Sequence, residues 1–334
     1  MNFQSLAVRI AGTGHALPRR HIASSELDLK LGLPEGRIEQ LTGVKSRPTC
    51  TDESQIDLAV TAAERAIADA GIKPEAIDLL LCASAVPYQP LPTTAPLVMR
   101  RLGIDDGQAQ AFDVNATCLS FVTALEIAAA KIALGQARTA LVVSSEIASR
   151  ALPWADEPEV AALFGDGAGA AVLTTAKPGT GAVRAFHMRT YPSGYEASSL
   201  VAGGTRIDFH NDPEAFAANA VFRMDGPALF KLTHRHLPSF VSELLAKSGW
   251  RPEDVDLVVP HQASPLALEH MIKATRLAPE RVVTVAQRLG NQIAASIPIA
   301  LDIARRDGRV PPGTRLLLLG TSAGVSIGGM AIEV

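Results

Sequence analysis

One stretch of this sequence occurs twice, and it constrains the fold more than any other feature. Ala70-Gly71-Ile72-Lys73-Pro74-Glu75-Ala76-Ile77-Asp78-Leu79-Leu80 returns as Ser248-Gly249-Trp250-Arg251-Pro252-Glu253-Asp254-Val255-Asp256-Leu257-Val258, so that Gly71, Pro74, Glu75 and Asp78 recur 178 residues later. Each copy follows an amphipathic helical pattern, around residues 54–70 and 226–248, and leads into a short apolar run. Both read as helix, glycine stop, turn and strand. At an offset of 176, Asn115 matches Asn291, and Ala124-Leu125-Glu126-Ile127-Ala128 matches Ala300-Leu301-Asp302-Ile303-Ala304. The following runs, Ala140–Ser144 and Leu316–Gly320, match as well. Two repeats in the same order predict two similar halves, about 1–176 and 177–334.

The strand candidates, Leu79–Cys82, Ala140–Ser144, Leu257–Val259 and Leu316–Leu319, are short runs without polar alternation, as expected of strands buried on both faces. Their alternation with helices predicts an α/β fold. At 334 residues, 47% hydrophobic and 19% charged, the chain can bury a large core in one or two domains. A formal charge of −3 gives no field that attracts nucleic acid or an anionic membrane, so neither partner is expected. No apolar run approaches the roughly 18 to 20 residues of a membrane helix. The N-terminal stretch MNFQSLAVRIAGTG lacks the basic start and unbroken apolar segment of a secretory leader, and the three cysteines, Cys50, Cys82 and Cys118, are too few for a disulfide framework. A cytoplasmic protein is expected. No Cys/His cluster calls for a metal.

The repeat also shows where the halves differ. Cys118 falls opposite Ala294, and the strand end Cys82-Ala83-Ser84 opposite Pro260-His261-Gln262. Cys118 precedes an apolar helical segment, Phe121–Leu134. At a helix N-terminus the dipole and unpaired amides favour a thiolate and can also donate to an oxyanion; a small buried hydrophobe is the alternative reading. His261 ends a predicted parallel strand, where α/β sheets gather ligands, and reads as a proton carrier and donor or as a packed structural residue. Asn291, ahead of a helix, reads as an N-cap or as a carbonyl-binding amide. Phe164-Gly165-Asp166-Gly167-Ala168-Gly169-Ala170 lacks the spacing of a phosphate-binding loop and reads as a tight turn into a strand.

Taken in order, Asn115-Ala-Thr-Cys118-Leu-Ser-Phe121, Phe164-Gly-Asp-Gly-Ala-Gly-Ala170, Met224-Asp-Gly226, Pro260-His-Gln-Ala263 and Gly290-Asn291 through Ala294-Ala-Ser-Ile-Pro298 resemble the motif series of the ketoacyl-acyl-carrier-protein synthase III family. This is a condensing-enzyme branch of the thiolase superfamily, and the resemblance covers nearly the whole chain. It implies a thiolase-like, duplicated five-layered αβαβα fold, a homodimer and no cofactor. It also implies that Cys118 is the nucleophile, with His261 and Asn291 as its partners, and that the backbone amides of Cys118 and Gly324 hold the oxyanion. The substrates implied are an acyl-CoA or acyl-carrier donor and malonyl-acyl carrier protein. A cysteine exchanges readily with a thioester, which splits a difficult condensation into two steps. The malonyl unit then loses carbon dioxide, and preorganised donors on its thioester oxygen can lower that barrier by roughly 3 kcal/mol each.

Several positions depart from the family pattern. Where members carry the tryptophan and two arginines that clamp coenzyme A, this chain has Arg37, Leu41 and Pro158; bulky Leu119 and then Ser120 follow the nucleophile. Leu119 and Leu91, the latter in the proline-rich loop 87–92, are candidates for the acyl pocket. Lys231 and Lys273 fall where the family contacts its carrier protein, although Leu266 replaces an arginine nearby. A specialised relative that acylates oxygen or nitrogen, or joins two acyl chains, is the main alternative. A degradative thiolase would need a second cysteine near its C-terminus, and none follows Cys118. A non-catalytic partner subunit has no need of Cys118, His261 and Asn291 together.

Overall fold

Leucine runs flanked by helices organise the chain around two sheets. The structure, a computed structural model, describes residues 5–177 and 179–334, which leaves the first four residues of the N-terminal stretch outside it. Strands β1 (Val8–Ala16), β2 (Leu79–Cys82), β3 (Gln110–Asp113), β4 (Thr139–Glu146) and β5 (Gly167–Thr175) form a sheet of order β1-β5-β4-β2-β3. Strands β6 (Ala182–Thr190), β7 (Leu257–Pro260), β8 (Arg315–Ser322) and β9 (Ser326–Glu333) form the second, of order β7-β8-β9-β6. Read from the other edge, the second sheet repeats the first: β6, β9, β8 and β7 stand as β1, β5, β4 and β2 do. In both, one matched pair (β2 with β4, β7 with β8) is parallel and the remaining matched pairs are antiparallel.

Helices α1 (Gln55–Asp69), α2 (Ser120–Ala133), α3 (Gly226–Ser248), α4 (Pro265–Thr275) and α5 (Ser296–Arg306) complete five layers. α2 and α5 lie between the sheets, α1 covers the far face of the first, and α3 and α4 cover that of the second. The two-residue period of a strand explains this division. Leu79 and Leu81 face the central helices while Leu80 and Cys82 face α1; in the second sheet Leu316 and Leu318 face inward and Leu317 and Leu319 face α3. Each fully buried leucine contributes about 1.5–3 kcal/mol of transfer free energy, so strands apolar on both sides are held from both sides. The expected helix 121–134 is offset by one residue, and Leu134, 72% exposed, marks its end.

The repeated residues have identifiable work. Gly71 and Gly249 take φ of +66° and +74° after α1 and α3. This lets Ile72 N–H reach Ile67 O and Trp250 N–H reach Leu245 O, the paired closure that ends a helix in left-handed glycine. Asp78 accepts from the Arg138 and Thr139 N–H groups, and Asp256 from the Arg315 N–H, so each aspartate fixes the start of the parallel strand beside it. Among the described residues no helix is long and apolar enough to cross a membrane.

Candidate active site

Two short turns with the same construction meet at one end of the central layer. Cys118 lies in the 3-10 turn Thr117–Leu119 that opens into α2, and Ile293–Ala295 opens into α5 in the same way. The turns are 176 positions apart (117 to 293) and pack against each other. Thr117 and Ile293 both adopt left-handed backbone, φ +50° and +48°. For β-branched residues this costs on the order of 1–3 kcal/mol and persists only where the surroundings impose it. Here an asparagine imposes it each time: Asn115 Oδ1 accepts from Thr117 N–H at 2.9 Å, and Asn291 Oδ1 from Ile293 N–H at 2.8 Å. Asn291 therefore caps the short turn and not α5 itself.

The two asparagines differ at their other atom. Asn115 Nδ2 donates to Ala85 O at 2.9 Å. Asn291 Nδ2 meets no protein acceptor among the described residues, although the residue is only 7% exposed, and it is left as a donor for a ligand. The Gly-Asp-Gly motif holds the Asn291 backbone: Asn291 N–H donates to Leu163 O at 2.8 Å and Gly165 N–H to Asn291 O at 3.1 Å. A Cβ on Gly165 would come within 2.3 Å of Leu289 O, which explains the glycine by close backbone approach.

His261 follows β7, with Nδ1 2.7 Å from Ser296 Oγ. The Gln262 N–H donates to the same oxygen at 3.3 Å, so we assign the serine hydroxyl as donor to Nδ1 and the imidazole proton to Nε2. The Gln262 side chain fixes the strand end with four hydrogen bonds, to Pro260 O, Val283 O, Val285 N and Ala286 N. Burial lowers the His261 imidazole to about 4, so it is neutral at physiological pH. Its Cβ and the Leu119 side chain converge on the open side of Gly320, where an added Cβ would lie 3.0 Å from each.

The environment of Cys118 departs from the expected thiolate. Burial is the main cause that pushes the thiol up to about 12, and the Glu146 carboxyl adds to it. The Ala323 N–H and the cysteine's own N–H pull the other way, but burial outweighs them. The amide that reaches the sulfur belongs to Ala323; Gly324, next to it, takes φ +75° in the β8–β9 turn. Glu146 and Ser296 were not singled out from the sequence. Ser296 had a signal, since it matches Ser120 at the 176 offset. For Glu146 the signal was a lone charge closing an apolar strand.

The remaining candidates lie further out. Leu119 is 1% exposed and packs onto Gly320 and Gly328 of the second sheet. Leu91, 84% exposed, stands on a surface loop. Arg37 and Leu41 lie on helix Arg37–Thr42, which packs against helix Pro158–Ala161 that Pro158 begins, so the three altered clamp positions share one two-helix rim. Lys231 on α3 and Lys273 on α4 are exposed. Between these packed helices His234 Nδ1 lies 2.8 Å from His270 Nε2.

Residues 112–192 match the family model for 3-oxoacyl-[acyl-carrier-protein (ACP)] synthase III, and residues 245–334 match the model for its C-terminal part. The beta-ketoacyl-[acyl-carrier-protein] synthase III of Neisseria gonorrhoeae is 37% identical over 332 residues, covering 97% of this chain and 98% of that protein. That of Rhizorhabdus wittichii is 37% identical over 325 residues, with the same coverage. The crystal structure of 3-oxoacyl-[acyl-carrier-protein] synthase III from Aquifex aeolicus superposes with a TM-score of 0.88 at 32% identity, over 98% of this chain and 100% of that one. A variant of OleA from Xanthomonas campestris superposes with a TM-score of 0.87 at 25% identity, over the full length of both chains. With the fold, the motif order and full-length similarity in agreement, this chain belongs to the 3-oxoacyl-[acyl-carrier-protein] synthase III family of thiolase-fold condensing enzymes.

Proposed function

We propose that the protein condenses an acyl thioester with malonyl-acyl carrier protein, with loss of carbon dioxide, through an acyl group carried on Cys118. The observation that supports this reading is the asymmetry of the two matched turns. One carries the thiol and anchors its asparagine to backbone; the other carries no thiol, leaves the Asn291 amide a free donor, and is followed by Ser296, which bonds the neutral His261. Neutral donors suit an oxygen that gains charge as the malonyl unit decarboxylates, because a fixed dipole stabilises the enolate without prior reorganisation. The N–H groups of Cys118 and Ala323 surround the sulfur, and with the Gly324 amide they supply donors for the oxyanion formed when the carbanion attacks the acyl-cysteine.

In this reading residues 1–176 form the half with the nucleophile and 177–334 the half with the donors, and the enzyme is a cytoplasmic homodimer. Leu91 reaches toward the partner's acyl pocket, bounded on the near side by Leu119. Lys231 and Lys273 meet an acidic carrier in a contact that weakens with salt. Intact-mass analysis after incubation with acyl-CoAs and acyl-carriers, paired with carbon dioxide release from labelled malonyl-carrier, tests the function. An acyl adduct on Cys118 with malonyl-dependent release supports it; an adduct with no release points to acylation of oxygen or nitrogen.

The altered rim leads to a second expectation. With Arg37, Leu41 and Pro158 at the clamp positions, shortening the donor from acyl-CoA to acyl-pantetheine should change the acylation rate by less than about tenfold, roughly 1.4 kcal/mol. Stopped-flow or quenched mass measurements with the two donors decide this. A loss of several orders of magnitude would mean that other residues hold the adenine end.

A further inference from the structure

Two histidines meet at the seam of α3 and α4. His234 Nδ1 lies 2.8 Å from His270 Nε2, and the ring centroids are 4.8 Å apart. Phe230, one turn before His234 and half exposed, backs both rings, stacked on His234 at 5.9 Å and tilted against His270 at 4.4 Å. Lys231 stands three residues before His234 and Lys273 three after His270, a spacing that sets each lysine beside the pair on its own helix. The outward nitrogens, His234 Nε2 and His270 Nδ1, bond to no group among the described residues.

The bond between the rings limits what they can show to a partner. One ring donates and the other accepts, and each neutral imidazole carries its proton on one nitrogen alone. Whichever ring donates, a neutral pair presents one outward N–H and one outward lone pair. A single added proton goes to that lone pair. It leaves the inner bond in place, now charge-assisted, and turns the outer face into two N–H donors with a positive charge. A second proton would put a donor on both inner nitrogens and break the bond. The pair is therefore a one-proton site whose protonated form matches a surface of carboxylates.

The charged neighbours on the two helices are Lys231 and Arg235 on α3 and Glu269 and Lys273 on α4, three cations against one acid before any proton is added. Charged groups on the other elements packed against α3 have partners elsewhere. His187 and Arg189 of β6 bond to Glu243, more than two turns beyond His234, and Glu333 of β9 bonds to Arg184. Tyr191 stacks on His236, ahead of the turn Pro192–Ala197 that carries Glu196. Burial, His234 and Lys273 lower the His270 imidazole, which leaves room for a proton to be gained when an acidic partner arrives.

We propose that the His234–His270 pair takes up one proton when an acidic acyl carrier protein docks across α3 and α4, so that this contact strengthens as the pH falls. The inference rests on the carrier contact proposed at Lys231 and Lys273 and adds its dependence on protons. The proton comes from solvent and joins an outward imidazole nitrogen, and no covalent step is involved. Because the docked state binds more protons than the free one, acid favours docking.

The test is calorimetric titration of the full-length protein with holo-acyl carrier protein, which bears no malonyl group to turn over, in buffers of different ionisation enthalpy between about pH 6 and 8. If docking raises the pair's proton affinity by about one pH unit, the wild type takes up about half a proton per carrier near neutral pH and binds about fivefold more tightly at the acid end than at the alkaline end. H234Q/H270Q keeps polar side chains without titrating, and should lose that uptake and most of the pH dependence; what remains belongs to the carrier's own groups. Equal uptake by wild type and variant overturns the proposal, as does wild type that takes up no proton or binds no carrier. Should the variant not fold, diethyl pyrocarbonate, which attacks unprotonated imidazoles, decides on the wild type alone. Bound carrier should protect both His234 and His270, read by peptide mass, and modification of both at the rate of the free protein overturns the proposal. Proton-linked binding in a protein that releases no carbon dioxide from malonyl-carrier would uphold the docking role and remove the proposed condensation, whereas condensation without the linkage would do the reverse.

Discussion

Cys118→Ala is expected to take acyl transfer from every thioester donor below detection, a loss of at least about three orders of magnitude, while malonyl-carrier is still decarboxylated. No other thiol can substitute. Cys82 is buried in the core of the first sheet, and burial beside Asp113 raises it well above the ordinary thiol range. Cys50 is pushed up to about 12 by burial and Asp166. Neither lies in a strained turn with backbone amides around its sulfur. The donors His261 and Asn291 belong to the other turn and strand end, and removal of a single sulfur leaves the bonds that orient them intact. Intact mass after incubation with donor, and labelled carbon dioxide from malonyl-carrier, read the two steps separately. An acyl adduct on Cys118→Ala would sink the assignment of the nucleophile.

His261→Ala and Asn291→Ala should fail in the opposite way, with decarboxylation reduced by about two to three orders of magnitude and acylation kept within about tenfold. The imidazole is a poor base, lowered to about 4 by burial, and its Nδ1 is engaged by Ser296, so it is not the group that takes the thiol proton. In the proposed mechanism its worth lies in the Nε2–H, as that of Asn291 lies in Nδ2–H. Both donate to the same oxygen in this mechanism, so the double variant should lose less than the product of the two single losses. If His261→Ala loses acylation as completely as Cys118→Ala, the imidazole activates the thiol. Full retention of decarboxylation in both variants would favour the oxygen- or nitrogen-acylating alternative.

The four parallel-paired strands β2, β4, β7 and β8 and the long helices were legible because their signals are local, whereas the antiparallel strands β1, β6 and β9 were not read. Leu79–Cys82 was read with the bounds the strand has, and 226–248 with those of α3. The glycine stops after α1 and α3 were legible for the same reason, since φ of +66° and +74° is what the residue type provides for. Cys118, His261 and Asn291 drew notice because the repeat treats their positions unequally. What could not be read was whatever depends on three-dimensional burial. A cysteine before a helix suggests a stabilised thiolate, yet the pressure of the core and of Glu146, 28 positions further along (118 to 146), decides the direction. The role of Ser296 likewise exists only once β7 and α5 lie side by side, and the pairing of Gly165 with Leu289 has no counterpart in either segment alone.

The central pair of helices has a consequence for how such an enzyme can change its substrate. α2 carries the thiol at its start and α5 the donor turn at its own, and both are enclosed by sheets on two sides. Enlarging a cavity by trimming this layer would move the proposed nucleophile and the proposed enolate-binding groups relative to each other, and a shift of about 1 Å is enough to lose about two orders of magnitude in rate. Away from Leu119, room for a longer or branched chain is therefore made at the periphery, in surface loops such as the one carrying Leu91, where replacements leave the reacting centre in register. Diversity of acyl specificity on this scaffold is then a property of its margins, and the interior is where such proteins are obliged to stay alike.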